Sequence, residues 1–418
     1  MHVAPERRIS RASGVIRGVT RDAAEGAGSM IGRLACRIDV LRRAAACMGL
    51  GLVVLLVLFG VTLAMPVETW RTGQQFSGPL PVLAPSELPA APGRIWVDAD
   101  PACGEGARVD PDDCLAIWYL MGLGDVTIAG VSTVFGNAPL KATDTVTREL
   151  MTRLRPTHGL VPVYRGAEAP LPESGAGTDA ERGLLAALAE DELTVVALGP
   201  LTNVAAALQA RPDLHGNVQK IVAVMGRRPG HIFHPAEGAG GGTLFGHGPV
   251  FRDFNVVQDP DALRVVLNLD IPLVLIPYEV ARDVEVDEEA LGHIAASGTA
   301  GRWVAERARP WLTYWKTDIG RDGFYPFDLM AAMFVAEPTR FACAGVHVEL
   351  RRDRTVFFPF SRMPALLIEP LASGHHGSHP GTLYCHGLQG DPQPLGLGGV
   401  VARTTGDPDM RRERALGR

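Results

Sequence analysis

The chain has no Cys-x-x-Cys spacing, no internal repeat at any fixed period and no excess of positive charge, and each absence removes a class of protein. Its six cysteines are too scattered to read as a zinc site. Without a repeat, solenoids and propellers are excluded. A net charge of -6 and a pI near 6.1 argue against a nucleic-acid binder. What is present suits an enzyme-like globular domain, because 46% hydrophobic and 21% charged residues across 418 positions can bury a full core.

Charge is missing altogether from Ala44 to Val67, a run centred on Gly49–Phe59. Crossing a bilayer takes about 20 helical residues, so the run is long enough. Arg7, Arg8, Arg11, Arg17, Arg21, Arg33, Arg37, Arg42 and Arg43 precede it and Glu68 follows, which predicts a cytoplasmic N-terminus and a downstream chain outside. An uncleaved signal anchor is favoured over a cleaved signal peptide, since the run exceeds a signal's apolar region and Thr62-Leu63-Ala64 is a poor cleavage site. A Pro-rich linker over 68–92, a domain over 93–370 and a loop and tail over 371–418 complete the expected organisation.

Within the domain, β-branched runs at Ile95–Val97, Val126–Val134, Thr194–Leu198, Val218–Val224 and Leu273–Ile276 alternate with helical patterns. The helices are expected at Asp113–Leu123, Leu140–Arg153, Asp179–Glu190, Leu201–Gln209 and Pro260–Leu267, with a further helical block over Asp287–Thr317. Such alternation predicts an α/β fold with a mainly parallel sheet flanked by helices. Ligands then sit at the carboxyl ends of the strands. Gly226–Gly248 is too glycine-rich for regular structure and reads as a flap carrying His231, His234 and His247.

Four carboxylates gather where the first strand gives way to a helix: Asp98 and Asp100, then Asp112 and Asp113. They would repel one another unless a hard cation or a polar substrate held them. Asp112 and Asp113 also suit the first turn of a helix, with Asp110 as N-cap and Pro111 at N1. Asp98 reads equally well as a structural hydrogen-bonding residue.

These pieces resemble the inosine-uridine-preferring nucleoside hydrolases. The family's D-x-D-P-G-x-D-D-A-x-A opening appears in two halves, Asp98-Ala-Asp100-Pro101 and Asp112-Asp113-Cys114-Leu-Ala116. Thr133-Val-Phe-Gly-Asn137, Ala197-Leu198-Gly199-Pro200-Leu201-Thr202-Asn203, Val222-Ala-Val-Met225-Gly226, Asp253-Phe254-Asn255 through Asp259-Pro260, and Phe327-Asp328 follow in order. The resemblance implies hydrolysis of the N-glycosidic bond of ribonucleosides to base and ribose, through an oxocarbenium-like transition state and a calcium-bound water activated by an Asp.

Carried over by motif, it makes Asp100 the general base and a calcium ligand. Asp113, Asp328 and the Leu198 main-chain carbonyl would be further ligands, and Asp112, Asn137, Asp253 and Asn255 would bind ribose hydroxyls. Asp98 would brace the cluster, and Asn203 is expected as a turn or cap residue. The implied partners are a ribonucleoside and the membrane, with self-association into a homo-oligomer left open and no nucleic acid. Salvage of external nucleosides is the role this setting suggests.

Two departures stand out. Ten residues, Ala102–Pro111, separate the motif proline from the paired acids where the family has two. Cys103 and Cys114 bracket this insertion, and outside the cytoplasm they would either form a disulfide or remain buried thiols, as would Cys343 and Cys385. Cys36 and Cys47 should stay reduced. Phe327 stands where many relatives have a histidine that protonates the departing base. That role passes to His231, His234, His247 or Tyr325, or stacking and calcium suffice. His375, His376, His379 and His386 read as a solvated tail. A haloacid-dehalogenase-like phosphatase shares D-x-D after its first strand but does not need Asp112-Asp113 or Asp253-Phe-Asn. A calcium-dependent nucleoside or sugar receptor, or a hydrolase of a related N-ribosyl substrate, would keep the same pocket.

Overall fold

The computed structural model describes residues 37–58, 80–154, 160–172, 177–229, 253–354, 362–371 and 381–389. The chain divides into two units, Met1–Ala64 and Met65–Arg418. The first contains helix α1, Arg37–Leu58, whose 22 residues are long and apolar enough to cross a membrane, and which is fully exposed. It begins before the uncharged run, and residues 59–67 of that run lie outside the described residues.

In the second unit the elements run β1 (Arg94–Ala99), α2 (Asp112–Gly122), β2 (Thr127–Thr133), α3 (Leu140–Arg153), β3 (Val163–Arg165), α4 (Asp179–Glu190), β4 (Leu193–Ala197), α5 (Thr202–Ala210) and β5 (Val218–Ala223). Then come α6 (Phe254–Gln258), α7 (Pro260–Leu267), β6 (Leu273–Leu275), α8 (Tyr278–Ala281), α9 (Glu288–Ala296), α10 (Thr299–Tyr314), α11 (Phe327–Ala336), β7 (Phe341–Arg354), β8 (Arg362–Pro370) and β9 (Leu383–Leu388). One sheet results, ordered β3-β2-β1-β4-β5-β6-β9-β7-β8. It is parallel from β3 to β9 and antiparallel at β9-β7 and β7-β8.

All five predicted strands and all five predicted inter-strand helices are present. Their side chains alternate between two cores: Ile95, Val97, Val196 and Leu198 enter one, with α2, α10 and α11, while Trp96, Val195 and Ala197 enter the other, with α4, α5 and α7. Both faces are thus covered, and this is why the strands read as continuous apolar runs. The predicted helical block 287–317 divides into α9 and α10 at Gly298, whose φ of 137° favours glycine.

Three expectations need correction. The tail predicted after residue 370 contains β9, which inserts between β6 and β7 and is tied to β7 by the Cys343–Cys385 disulfide. Its short, mixed sequence carries no alternation to announce it, and its place comes from pairing with distant strands. The end of the predicted linker is docked onto the domain: Leu80 and Leu88 are buried, the Leu83 amide donates to the Cys343 carbonyl at 2.9 Å, and Lys220 Nζ donates to the Ala90 carbonyl at 3.1 Å. Its prolines allow no more than a single 3-10 turn at Pro85–Glu87 but do not prevent burial. Helix α2 starts at Asp112, one residue before the expected Asp113, with Pro111 as its cap in place of Asp110, although Asp110 Oδ1 still accepts from the Asp112 amide at 3.3 Å. Of the predicted flap, residues 230–248 lie outside the described residues.

Candidate active site

Strand β1 sends the chain's progress through β2 and β3 to one side, and β4 and β5 lie on the other, so the switch in strand order falls between β1 and β4. Ligands in open α/β sheets bind at such a point, outside the carboxyl ends of the strands. Asp98 is the penultimate residue of β1, Asp100 follows the strand, Leu198 follows β4 and Gly226 comes just after β5.

The acids assemble around helix N-termini. The Asp100 amide donates to Asp113 Oδ1 at 3.0 Å, and the Asp113 amide donates to Asp112 Oδ1 at 3.1 Å. Asp328, in the first turn of α11, donates its amide to Asp112 Oδ2 at 3.0 Å, so the starts of α2 and α11 meet at one place. Unpaired N–H groups and the helix dipoles there favour negative charge. Asp112, Asp113 and Asp328 each offer an oxygen within 4.8 Å of the others', and all three are buried.

Asp100 is held from the other side. The Asn137 amide donates to its Oδ2 at 2.6 Å. The backbone of Gly136 runs so close that a Cβ there would stand 1.9 Å from Asp100 Oδ2, and one on Gly199 would stand 2.9 Å from Oδ1. The glycines of the Gly-Asn and Leu-Gly-Pro motifs are the space into which this carboxylate fits.

Asp98 has a supporting shell that sequence reasoning missed. Asn203 Nδ2 donates to its Oδ1 at 2.8 Å and to the Thr133 carbonyl at 3.1 Å, while Asn203 Oδ1 accepts from the Ala167 amide at 2.8 Å. Ser132 Oγ donates to the same Oδ1 and accepts from Trp96 Nε1 at 2.8 Å. Asn203 is therefore a brace between strands and not the turn or cap residue expected from its motif. Ser132 had no signal beyond its place on a buried strand. Asp259, within the Asp253–Pro260 motif, is structural: its carboxylate caps α7 through the Ala262 amide at 2.9 Å and accepts from Thr202 Oγ1 at 2.6 Å.

On the opposite wall, Asn255 Nδ2 donates to the carbonyls of Leu198 and Val224 at 2.6 and 3.1 Å. Asp253 Oδ2 accepts from the Gly226 amide at 2.7 Å, and Gln258 Nε2 donates to the Gly136 carbonyl at 3.0 Å. Asn137 Nδ2 is spent on the carbonyl of Asp110, at 2.8 Å. Phe327, half-buried, opens α11 and packs against the core. Tyr325 is buried edge-on to Trp315, their rings 5.0 Å apart, which makes it a core residue, while His231, His234 and His247 lie outside the described residues.

Burial is the main force on these charges. It pushes Asp98 up to about 6 against the hydrogen bonds from Asn203 and Ser132, and Asp253 up to about 6 against the Gly226 amide. Burial, then the Asp112 charge, takes Asp113 up to about 8. Asp100 rises well above the usual carboxylate range through burial and then the Asp113 charge, and Asp328 through burial and then the Asp112 charge. Carboxylates so placed ionise together only with a compensating cation. The donor set fits a hard, oxygen-seeking one: every candidate donor, carboxylate or carbonyl, is an oxygen, and Asp98 Oδ2 is a buried oxygen with no hydrogen-bond partner among the described residues. Leu198 O keeps a second lone pair beside Asn255.

Comparison with known proteins shows what this fold and sequence are similar to. Residues 95–359 match the family model described as inosine-uridine preferring nucleoside hydrolase. An uncharacterised protein of Schizosaccharomyces pombe is 25% identical over 291 residues, covering 62% of this chain and 84% of that one. A pyrimidine-specific ribonucleoside hydrolase of Salmonella enteritidis is 24% identical over 232 residues, 49% of this chain and 66% of its own length. In fold, a plant nucleoside hydrolase superposes with a TM-score of 0.58 at 17% identity, covering 75% of this chain and 99% of that one. A purine-preferring ribonucleoside hydrolase from Gardnerella vaginalis gives 0.55 at 19% identity, covering 75% and 98%.

Proposed function

Because the chain belongs to the inosine-uridine preferring nucleoside hydrolase family, we propose that it hydrolyses the N-glycosidic bond of ribonucleosides with a calcium ion held by Asp100, Asp113, Asp328 and the Leu198 carbonyl. The observation that carries this reading is the meeting of carboxylate oxygens of Asp112, Asp113 and Asp328 within 4.8 Å, with the Asp100 amide donating to Asp113 Oδ1. Calcium, when bound, neutralises the carboxylates, orients the vicinal hydroxyls of ribose and makes a water easier to deprotonate.

The residues divide the remaining work. Asp100, fixed by the Asn137 amide and walled in by Gly136 and Gly199, takes the proton of the attacking water. Asp112, next to Asp113 and Asp328, would accept a hydrogen bond from a ribose hydroxyl. Asn255 and Asn137 spend their amide nitrogens on backbone carbonyls, which leaves each Oδ1 to accept from a sugar hydroxyl. Asp253 adds an acceptor at the far wall. Phe327 brings no proton to the departing base and offers an apolar face instead.

Helix α1 anchors the protein in a membrane, N-terminus in the cytoplasm and hydrolase domain outside, where it would act in salvage of external nucleosides. The length and composition of α1 support the anchor, and the disulfides Cys103–Cys114 and Cys343–Cys385 support an oxidising compartment.

The test is ribose release from inosine, uridine, adenosine and cytidine, with calcium or with chelator, beside Asp100→Asn. Calcium-dependent release that disappears in the variant is the expected result. Ribonucleoside binding without release, in the presence of calcium, would replace the hydrolase by a receptor and make Phe327 the decisive residue.

A further inference from the structure

The insertion Ala102–Pro111 separates Asp100 from Asp112 and Asp113 by a stretch that should scatter the acids, yet the Asp100 amide donates to Asp113 Oδ1. Several independent features pin this loop. Cys103 and Cys114, both fully buried, are disulfide-bonded. Gly104, at φ 84°, lets the loop lie against α10, where a Cβ would stand 2.8 Å from Arg307 Cγ. Arg108 pairs with Asp318 at 3.3 Å and lies over the Tyr314 ring at 5.1 Å. At its far end Asp110 reaches both sides of the cluster: its Oδ1 accepts from the Asp112 amide and its carbonyl accepts from Asn137 Nδ2, whose own amide holds Asp100.

We propose that this stapled insertion is a positioning device for the cation-binding acids, with the Cys103–Cys114 disulfide setting the distance between the two halves of the motif and Asp110 acting as the latch. The proposal rests on the cation reading given above. Along the backbone, Asp100 and Asp112 are 12 residues apart. Through the disulfide, the path from Asp100 to Asp113 crosses only Pro101, Ala102, Cys103 and Cys114. The effective concentration of tethered groups falls as about the 3/2 power of tether length, so a roughly threefold shorter path is about a fivefold gain in co-localisation. Asp110 works through an acceptor oxygen, a carboxyl–carboxyl hydrogen bond to Asp112 and a backbone carbonyl, and with an amide side chain all three contacts can be made without the charge. It is a positioning residue, not a ligand.

The experiment is a calorimetric calcium titration of the full-length protein and its variants, with denaturant unfolding in chelator alongside to report folding without the metal. The expected result is calcium binding about five- to tenfold weaker in Cys103→Ala/Cys114→Ala. Asp110→Ala should weaken it as well, while Asp110→Asn, which keeps the acceptor, stays near wild type. Cys343→Ala/Cys385→Ala, on strands that supply no acid to the cluster, should lose stability but not calcium affinity. Wild-type affinity in the loop-disulfide variant, or an equal affinity loss in both disulfide variants, would overturn the proposal. So would Asp110→Asn as weak as Asp110→Ala, since charge and not the acceptor would then be what Asp110 contributes. A wild-type protein that binds no calcium would instead overturn the cation reading on which this one stands.

Discussion

Replacing Gly136 by alanine puts a methyl group where the Asp100 carboxylate already is. The new Cβ would stand 1.9 Å from Asp100 Oδ2, at a residue whose φ of 155° side chains rarely adopt. Two responses are open to the protein, and both are costly. If Asp100 swings away, it gives up the 2.6 Å bond from the Asn137 amide, a bond to a charged group contributing about 1.5–3 kcal/mol. If the backbone moves instead, strain of about 1–3 kcal/mol arises in a turn that also anchors Gln258 through the Gly136 carbonyl. Whichever response is taken, a loss of about 1–3 kcal/mol is expected by denaturant unfolding. Ribose release should fall about 10²–10⁴-fold, the range for a misplaced general base. Gly124→Ala is the control, because a Cβ there meets nothing within 4 Å and should change stability by less than about 0.5 kcal/mol. If Gly136→Ala keeps activity within tenfold of wild type and unfolds at the same denaturant concentration, the idea that this glycine makes room for the base is wrong.

Three other outcomes follow from the same reasoning. With burial holding Asp98 at about 6 and Asp113 at about 8, both above the usual unfolded value, the metal-free fold is favoured by protonation. Its melting temperature in chelator should therefore decline as pH rises from about 5 to 8, and calcium should restore more stability at the upper end; a chelated melt that climbs across this range would refute the assignment. Arg228 and Glu279 form a buried pair at 2.9 Å, with Tyr384 Oη donating to the same carboxylate at 2.9 Å. Arg228→Met should cost about 3–5 kcal/mol and Arg228→Met/Glu279→Leu much less, read by a double-mutant cycle, and equal losses would mean that the stranded charge is not the cause. For α1, alkaline carbonate extraction should leave the protein in the membrane pellet and removal of residues 1–64 should release it, whereas a full-length protein already in the soluble fraction would end the anchor reading.

Much of this protein was legible in its sequence because the relevant physics is local. Continuous β-branched runs such as Ile95–Val97 become buried parallel strands wherever helices cover both faces, and an uncharged run becomes an apolar helix whatever surrounds it. Asp98, Asp100, Asp112, Asp113, Asn137, Asp253, Asn255 and Asp328 were named from short motifs that resemble a family's, and the structure brings Asp112, Asp113 and Asp328 together next to Asp100. Tertiary structure decided the rest, because it depends on partners far along the chain. Nothing near Asn203 says that its amide braces Asp98, 105 positions away, and nothing in Leu383–Leu388 says that it pairs with both β6 and β7. The insertion is the sharpest case. As a string it breaks a motif, and only the disulfide, the Arg108–Asp318 pair and the Asp110 contacts return the separated acids to one place. The residue types settle which chemistry is available, but loop closure, a long-range property, settles whether those residues meet.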